Sequence, residues 1–169
     1  KDAQCYAQNE ITCNRQWFYS DTTHNSVDMV LAVNGIPVFA FELKNQFTGQ
    51  TVENAKQQWM HDRDPREVCF PFNKRILGYF CVDLTEVWMA TRLAGKDTRF
   101  LPFNQGSNGA GRDGGAGNPP NPNGYLTAYL WEEVFQKDSM MDILQKFMSL
   151  QDGKILIFPR YHQLDVVRK

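Results

Sequence analysis

The sequence predicts an α/β domain with a mixed central sheet flanked by helices, and three observations carry that prediction. Two β-rich apolar runs stand either side of Asn34-Gly35 in VDMVLAVNGIPVFAFELK, and this dipeptide readily takes the positive φ angles of tight hairpin turns. Helically spaced apolar residues follow in TVENAKQQWMHDRD, and two more strand-like runs come after them. Strands and helices therefore alternate along the chain, the pattern of a sheet covered by helices.

The elements can be placed in order. Ile11 to Ser20 mixes aromatic and polar residues and reads as a first strand. Strands follow near 27–33 and 36–44, and the polar stretch from Gln46 to Gln50 is a loop. Val52, Ala55 and Trp59 then recur at helical spacing in a helix that stops before Pro65. RILGYFCV and EVWMAT, separated by Asp83-Leu84, read as a second hairpin or a pair of sheet strands, giving a sheet of four or five strands.

From 104 to 124 glycine, asparagine and proline dominate, a composition that cannot bury a core and predicts a mobile surface loop. Leu126 to Phe135 and Ser139 to Leu150 then show helical periodicity. The second of these places Met140, Met141, Leu144, Phe147 and Met148 on one side, with Asp138 available as a cap. KILIF forms a last strand and leads into Pro159-Arg160-Tyr161-His162-Gln163.

Composition limits what the protein can do. The 169 residues suffice for one domain with a hydrophobic core, and 42% apolar with 22% charged residues is ordinary for a globular chain. No run approaches the roughly 18 uninterrupted apolar residues of a membrane span. Cys5, Cys13, Cys69 and Cys81 form no C-x-x-C pair, which points to free thiols in a reducing cytoplasm rather than a zinc site or a disulfide framework. The first residue is lysine and no signal peptide follows, so the chain reads as an excised piece. A net charge of −1 argues against a stand-alone, sequence-independent DNA binder, because such binding draws on neutralised phosphates.

The chemistry concentrates in the hairpin. Glu42 and Lys44 lie two apart on a strand and emerge on one face. Asp28 interrupts the other strand where a lone carboxylate is costly, unless a divalent cation and water share its site. A regular two-residue turn at Asn34-Gly35 would put Asp28 across from Phe41, on the face opposite Glu42. A shared site therefore predicts a bulged or odd-length turn with Gly35 left-handed, or a bulge elsewhere that restores parity. In the functional reading two carboxylates hold Mg²⁺, the Leu43 carbonyl adds a ligand, and Lys44 serves the attacking water and the scissile phosphate. In the bland reading the same residues make a solvated strand end with a surface ion pair. Gln58 shares the helix face of Ala55 and Trp59 and needs a polar partner there. Asp62, one turn on, reads as a helix-end charge.

Taken together, SVDMVLAVNGIPVFAFELKN, the NAKQQW helix and the later WEEVFQKDSMMDIL and FPRYHQLDVVRK resemble the R (restriction) subunit of type I restriction-modification enzymes. The amino-terminal domain of that subunit is a PD-(D/E)xK nuclease with a restriction-endonuclease-like core. The resemblance implies that Asp28 and Glu42 bind metal, that Lys44 is the catalytic lysine, and that Gln58 is the glutamine of the family's Q-x-x-x-Y element. Asp62 stands where that element often has tyrosine, so the tyrosine's role does not carry over.

The resemblance further implies a type I site-specific deoxyribonuclease that cuts double-stranded DNA with Mg²⁺, for which Mn²⁺ can substitute. Methylation and specificity subunits would be its partners. It divides the chain into a nuclease domain at 1–158 with a flexible loop at 104–124 and, at 159–169, the start of the linker into an ATP-dependent helicase-type motor, itself absent here, whose entry Tyr161-His162-Gln163 resembles. No G-x-x-x-x-G-K-[ST] phosphate loop occurs here, so ATP belongs to the motor rather than to this stretch. The competing expectations are a non-catalytic docking or DNA-guiding module and a nuclease or repair factor that acts without a motor. His24 and His61 lack ligand-spaced companions, and Lys74, Arg75, Arg92, Lys96 and Arg99 are ordinary solvated charges that could touch phosphates.

Overall fold

The turn between the second and third strands decides which residues share a face. The computed structural model describes residues 3–168, with β2 at Ser26–Val33 and β3 at Ile36–Leu43. Asn34 and Gly35 both have positive φ, 52° and 79°, and Val33 pairs with Ile36 across them. The turn is thus a regular two-residue hairpin turn of the I′ kind, not the bulged or odd-length turn expected. Its geometry is fixed from outside, because the Asn34 side chain accepts the Glu10 N–H at 2.8 Å and donates to Asn9 at 2.9 Å.

Parity is restored a few residues further along. Ala32 faces Pro37 but Leu31 faces Phe39, which leaves Val38 as the extra residue of a β-bulge. The Val38 carbonyl accepts the Leu77 N–H at 2.8 Å, where β3 begins to meet its other neighbour. Continuing the Met29–Phe41 register by one step sets Asp28 opposite Glu42.

The main sheet has six strands rather than four or five. β1 (Ile11–Phe18), β2, β3, β4 (Gly78–Val82), β5 (Val87–Ala90) and β6 (Leu101–Pro102) lie in sequence order. The expected first strand and the pair after Arg75 are all present; the two-residue β6 is too short to leave a pattern in sequence. Only β3 and β4 run parallel, so the chain between them must cross over. After a short α1 (Ala3–Ala7), the next helix is the crossover's α2 (Val52–Gln57), continued by a π-helical turn over Gln58–Asp62. Thr51 caps α2 in a reciprocal box with Asn54.

Strand alternation gives the sheet two apolar faces. On one, Met29, Leu31, Phe39, Phe41 and Phe80 pack against the second half of the chain. On the other, Val30, Ala40, Tyr79 and Cys81 receive Val52, Ala55 and Trp59 from the crossover helix. Ala40 and Ala55 are small enough to let the helix lie close, and the Trp59 indole N–H donates to the Phe80 carbonyl at 3.2 Å. Gly78 opens β4 because a Cβ there would stand 3.0 Å from the Phe39 ring.

The second half departs more from expectation. Only Leu130–Val134 of the first helical stretch is helical, as a π turn. The second forms α3 (Lys137–Asp142) and a further π turn over Ile143–Phe147. Met148 is extended, and Ser149–Gln151 forms β7, paired with β8 (Ile155–Ile157) in a small separate sheet. The helix therefore does not reach Leu150. Asp138 lies inside the first turn of α3 behind Gln136 and does not cap it; its carboxylate accepts the Tyr6 hydroxyl instead.

α4 (Tyr161–Arg168) returns to the core, burying Tyr161 and Leu164. The base of the 104–124 segment is tied by Asn118, which donates to Thr85 O at 2.8 Å and accepts from Gln105 N at 2.9 Å. Among the described residues no disulfide forms, and no helix is long and apolar enough to cross a membrane.

Candidate active site

Glu42 is the next residue after Phe41 on β3 and so points to the α2 face, where it is fully buried. Lys44 follows on the same face as β3 ends, with its backbone N–H on the Val82 carbonyl at 2.8 Å and only 9% of its surface exposed. Asp28, opposite on β2, is half-buried. The Lys44 ammonium lies 3.6 Å from Asp28 Oδ2 and 3.9 Å from Glu42 Oε2. Asp28 Oδ2 also accepts the Leu43 N–H at 2.7 Å. The bulge at Val38 thus produces what a regular hairpin would have forbidden, two carboxylates and a lysine around one point.

Sequence reasoning missed a fourth member, Arg63. It follows directly on the π turn and reaches back to β3, donating from Nε and Nη2 to Glu42 Oε1 at 3.0 and 2.7 Å. The same Nη2 donates to the Ser26 carbonyl at 3.0 Å. Arg63 stands among His61, Asp62, Asp64 and Arg66 in sequence and looks like one more surface charge. Its one signal is its place just after a helix whose apolar face lies on the sheet.

Burial pushes the Glu42 carboxyl up from 4.5 to about 7; Arg63 opposes the rise, Asp28 adds to it and Lys44 opposes it. For Arg63, burial disfavours the charged form, but the Glu42 carboxylate more than compensates and its pKa is raised. The Cys81 thiol, paired with Glu42 across β3 and β4, is likewise raised by burial. It is inert as a nucleophile.

Two buried oxygens in this region have no hydrogen-bond partner, Glu42 Oε2 and Gln58 Oε1. Buried acceptors without partners are uncommon in folded proteins and often mark a place for an ion or water. Glu42 Oε2 faces Lys44 and lies across from Asp28, so the donor set suits a small hard cation. No group of three His, Cys, Asp or Glu side chains able to hold a metal occurs among the described residues. The side-chain oxygens that converge here are those of Asp28 and Glu42 Oε2; a cation would need backbone, water or substrate oxygens to complete its shell. Gln58 hydrogen-bonds none of Asp28, Glu42 or Lys44; its side chain sits in the π turn with Oε1 unsatisfied.

Other candidates fall away from this point. His24, His61 and Asp62 are exposed, as are Lys74, Arg75, Arg92, Lys96 and Arg99. Tyr161 is buried and donates to Glu133 at 2.8 Å, whereas His162 is exposed.

A family model described as type I restriction enzyme R protein N terminus matches residues 2–108. That span holds the whole six-stranded sheet together with Asp28, Glu42, Lys44, Gln58 and Arg63. Among curated proteins no match is found.

Proposed function

The chain belongs to the family of type I restriction enzyme R protein N termini, and on that premise we propose that it is the metal-dependent nuclease domain of such a subunit, with a PD-(D/E)xK core that cleaves double-stranded DNA. The observation that carries the proposal is the convergence of half-buried Asp28 with buried Glu42 and Lys44 around an orphaned carboxylate oxygen on the family-matched sheet. Asp28, Glu42 Oε2 and the Leu43 carbonyl would hold Mg²⁺, with Mn²⁺ able to replace it. When bound, the ion supplies positive charge to the scissile phosphate and acidifies water.

The remaining work belongs to the chain. The Lys44 ammonium, held between the two carboxylates, donates to the attacking water and offsets charge that develops on the phosphate. Its burial excludes bulk water and strengthens that interaction. Gln58 Oε1, buried and unsatisfied, accepts a hydrogen bond from water that enters the site. Methylation and specificity subunits choose the DNA, and an ATP-driven motor elsewhere in the R subunit moves it.

In the full complex, Lys44→Ala should slow DNA cleavage by about 10²–10³-fold while ATP hydrolysis and translocation continue. Cleavage at the parental rate would overturn the catalytic assignment and favour a docking role for the domain.

A further inference from the structure

Arg63 does more than neutralise a buried acid, because the way it grips Glu42 is asymmetric. Two of its N–H groups fall on Oε1 at 3.0 and 2.7 Å, and none reaches Oε2. Oε2 is left buried and without a hydrogen bond, 3.9 Å from Lys44. The guanidinium also holds the Ser26 carbonyl at 3.0 Å, two residues before Asp28 on the neighbouring strand. One planar group thus braces the strand that carries Asp28 against the strand that carries Glu42. A lysine could not do this, since a single ammonium lacks the fixed fork.

We infer that Arg63 is a positioning residue that reserves one Glu42 oxygen, Oε2, for a divalent cation and thereby sets the site to favour Mg²⁺ over Ca²⁺. The inference rests on the reading of Asp28 and Glu42 as cation ligands. Ca²⁺ takes six to eight oxygens and often binds a carboxylate through both of them, whereas Mg²⁺ demands six in near-octahedral array and takes carboxylates one oxygen at a time. With Oε1 occupied by Arg63, Glu42 cannot offer the two-oxygen grip.

Mn²⁺ is titrated calorimetrically into the full-length protein with bound duplex DNA, and then displaced with Mg²⁺ or with Ca²⁺. Arg63→Ala should weaken Mn²⁺ by about tenfold or more, the usual cost of losing a group that orients a ligand. It should also move the Ca²⁺-to-Mg²⁺ displacement ratio toward Ca²⁺. Arg63→Lys should fold with its charge kept, yet show the same shift in ratio, so a failure of Arg63→Ala to fold leaves the inference open to refutation. A ratio that stays at the wild-type value in Arg63→Lys, or Mn²⁺ affinity that rises in Arg63→Ala, overturns it. If Glu42→Ala binds Mn²⁺ as tightly as the wild type, the metal site itself is refuted; if Glu42→Ala loses Mn²⁺ while the Arg63 variants are unaltered, only the role of Arg63 is.

Discussion

Glu42 sits under two opposed demands. Full burial favours its neutral form, while the proposed role as a cation ligand requires the ionised one. Its carboxyl is consequently held at about 7, against an ordinary 4.5, with burial the main cause and Arg63 the main restraint. Between those values the folded chain binds more protons at this position than the unfolded chain does. Stability from this group is therefore present at the acid end, is lost as pH rises toward 7, and changes no further above that. Glu42→Gln cannot titrate and serves as the reference. In thermal melts with chelator present, the melting temperature of the wild type relative to Glu42→Gln should fall steadily between about pH 4.5 and 7. A constant difference over that range would mean that Arg63 holds the group ionised throughout.

At the scale of elements, the crossover helix must be fixed at its start if Arg63 at its far end is to reach β3. Asp83, just beyond β4, provides the tether. Its Oδ2 accepts the Val52 N–H at 3.0 Å, and its Oδ1 accepts from Thr85 N, Thr85 Oγ1 and Glu86 N between 2.7 and 2.9 Å. Asp83→Ala leaves these donors without their partner in a largely buried setting, so urea denaturation should show a loss of about 2–4 kcal/mol. A loss below about 1 kcal/mol would mean that Thr51 and Asn54 secure the helix alone. The helix itself was legible in Val52, Ala55 and Trp59, and the hairpin in Asn34-Gly35, because their signals are local. The bulge was legible only as a requirement of parity. Its position at Val38 depends on the turn being pinned by Asn9 and Glu10 and on pairing with β4, both non-local. Arg63 was hidden for the same reason, since its partner lies 21 positions earlier. β7 was hidden because Met148 prolongs a helical period into residues that pair with β8.

For the whole molecule, charge and family membership bear on the same question. The chain carries 18 basic and 19 acidic side chains, and two of the basic groups at the site, Lys44 and Arg63, are already engaged with Asp28 and Glu42. Exposed Lys74, Arg75, Arg92, Lys96 and Arg99 remain for phosphates, but the acidic residues offset them in the long-range field. DNA affinity that depends on counterion release scales with the number of phosphates neutralised. A domain with a net charge of −1 gains little affinity for a duplex from its overall field, which accords with the proposal that other parts of a complex deliver its DNA. Fluorescence anisotropy of a labelled duplex at about 150 mM salt should therefore show the 169-residue chain binding no tighter than about 10⁻⁴ M, the weak end of non-specific association. Lowering the salt should tighten it only slightly, because few counterions are released. Micromolar binding with a steep salt dependence would instead show that exposed cations, these five among them, act as one continuous track, and that the domain holds its DNA itself.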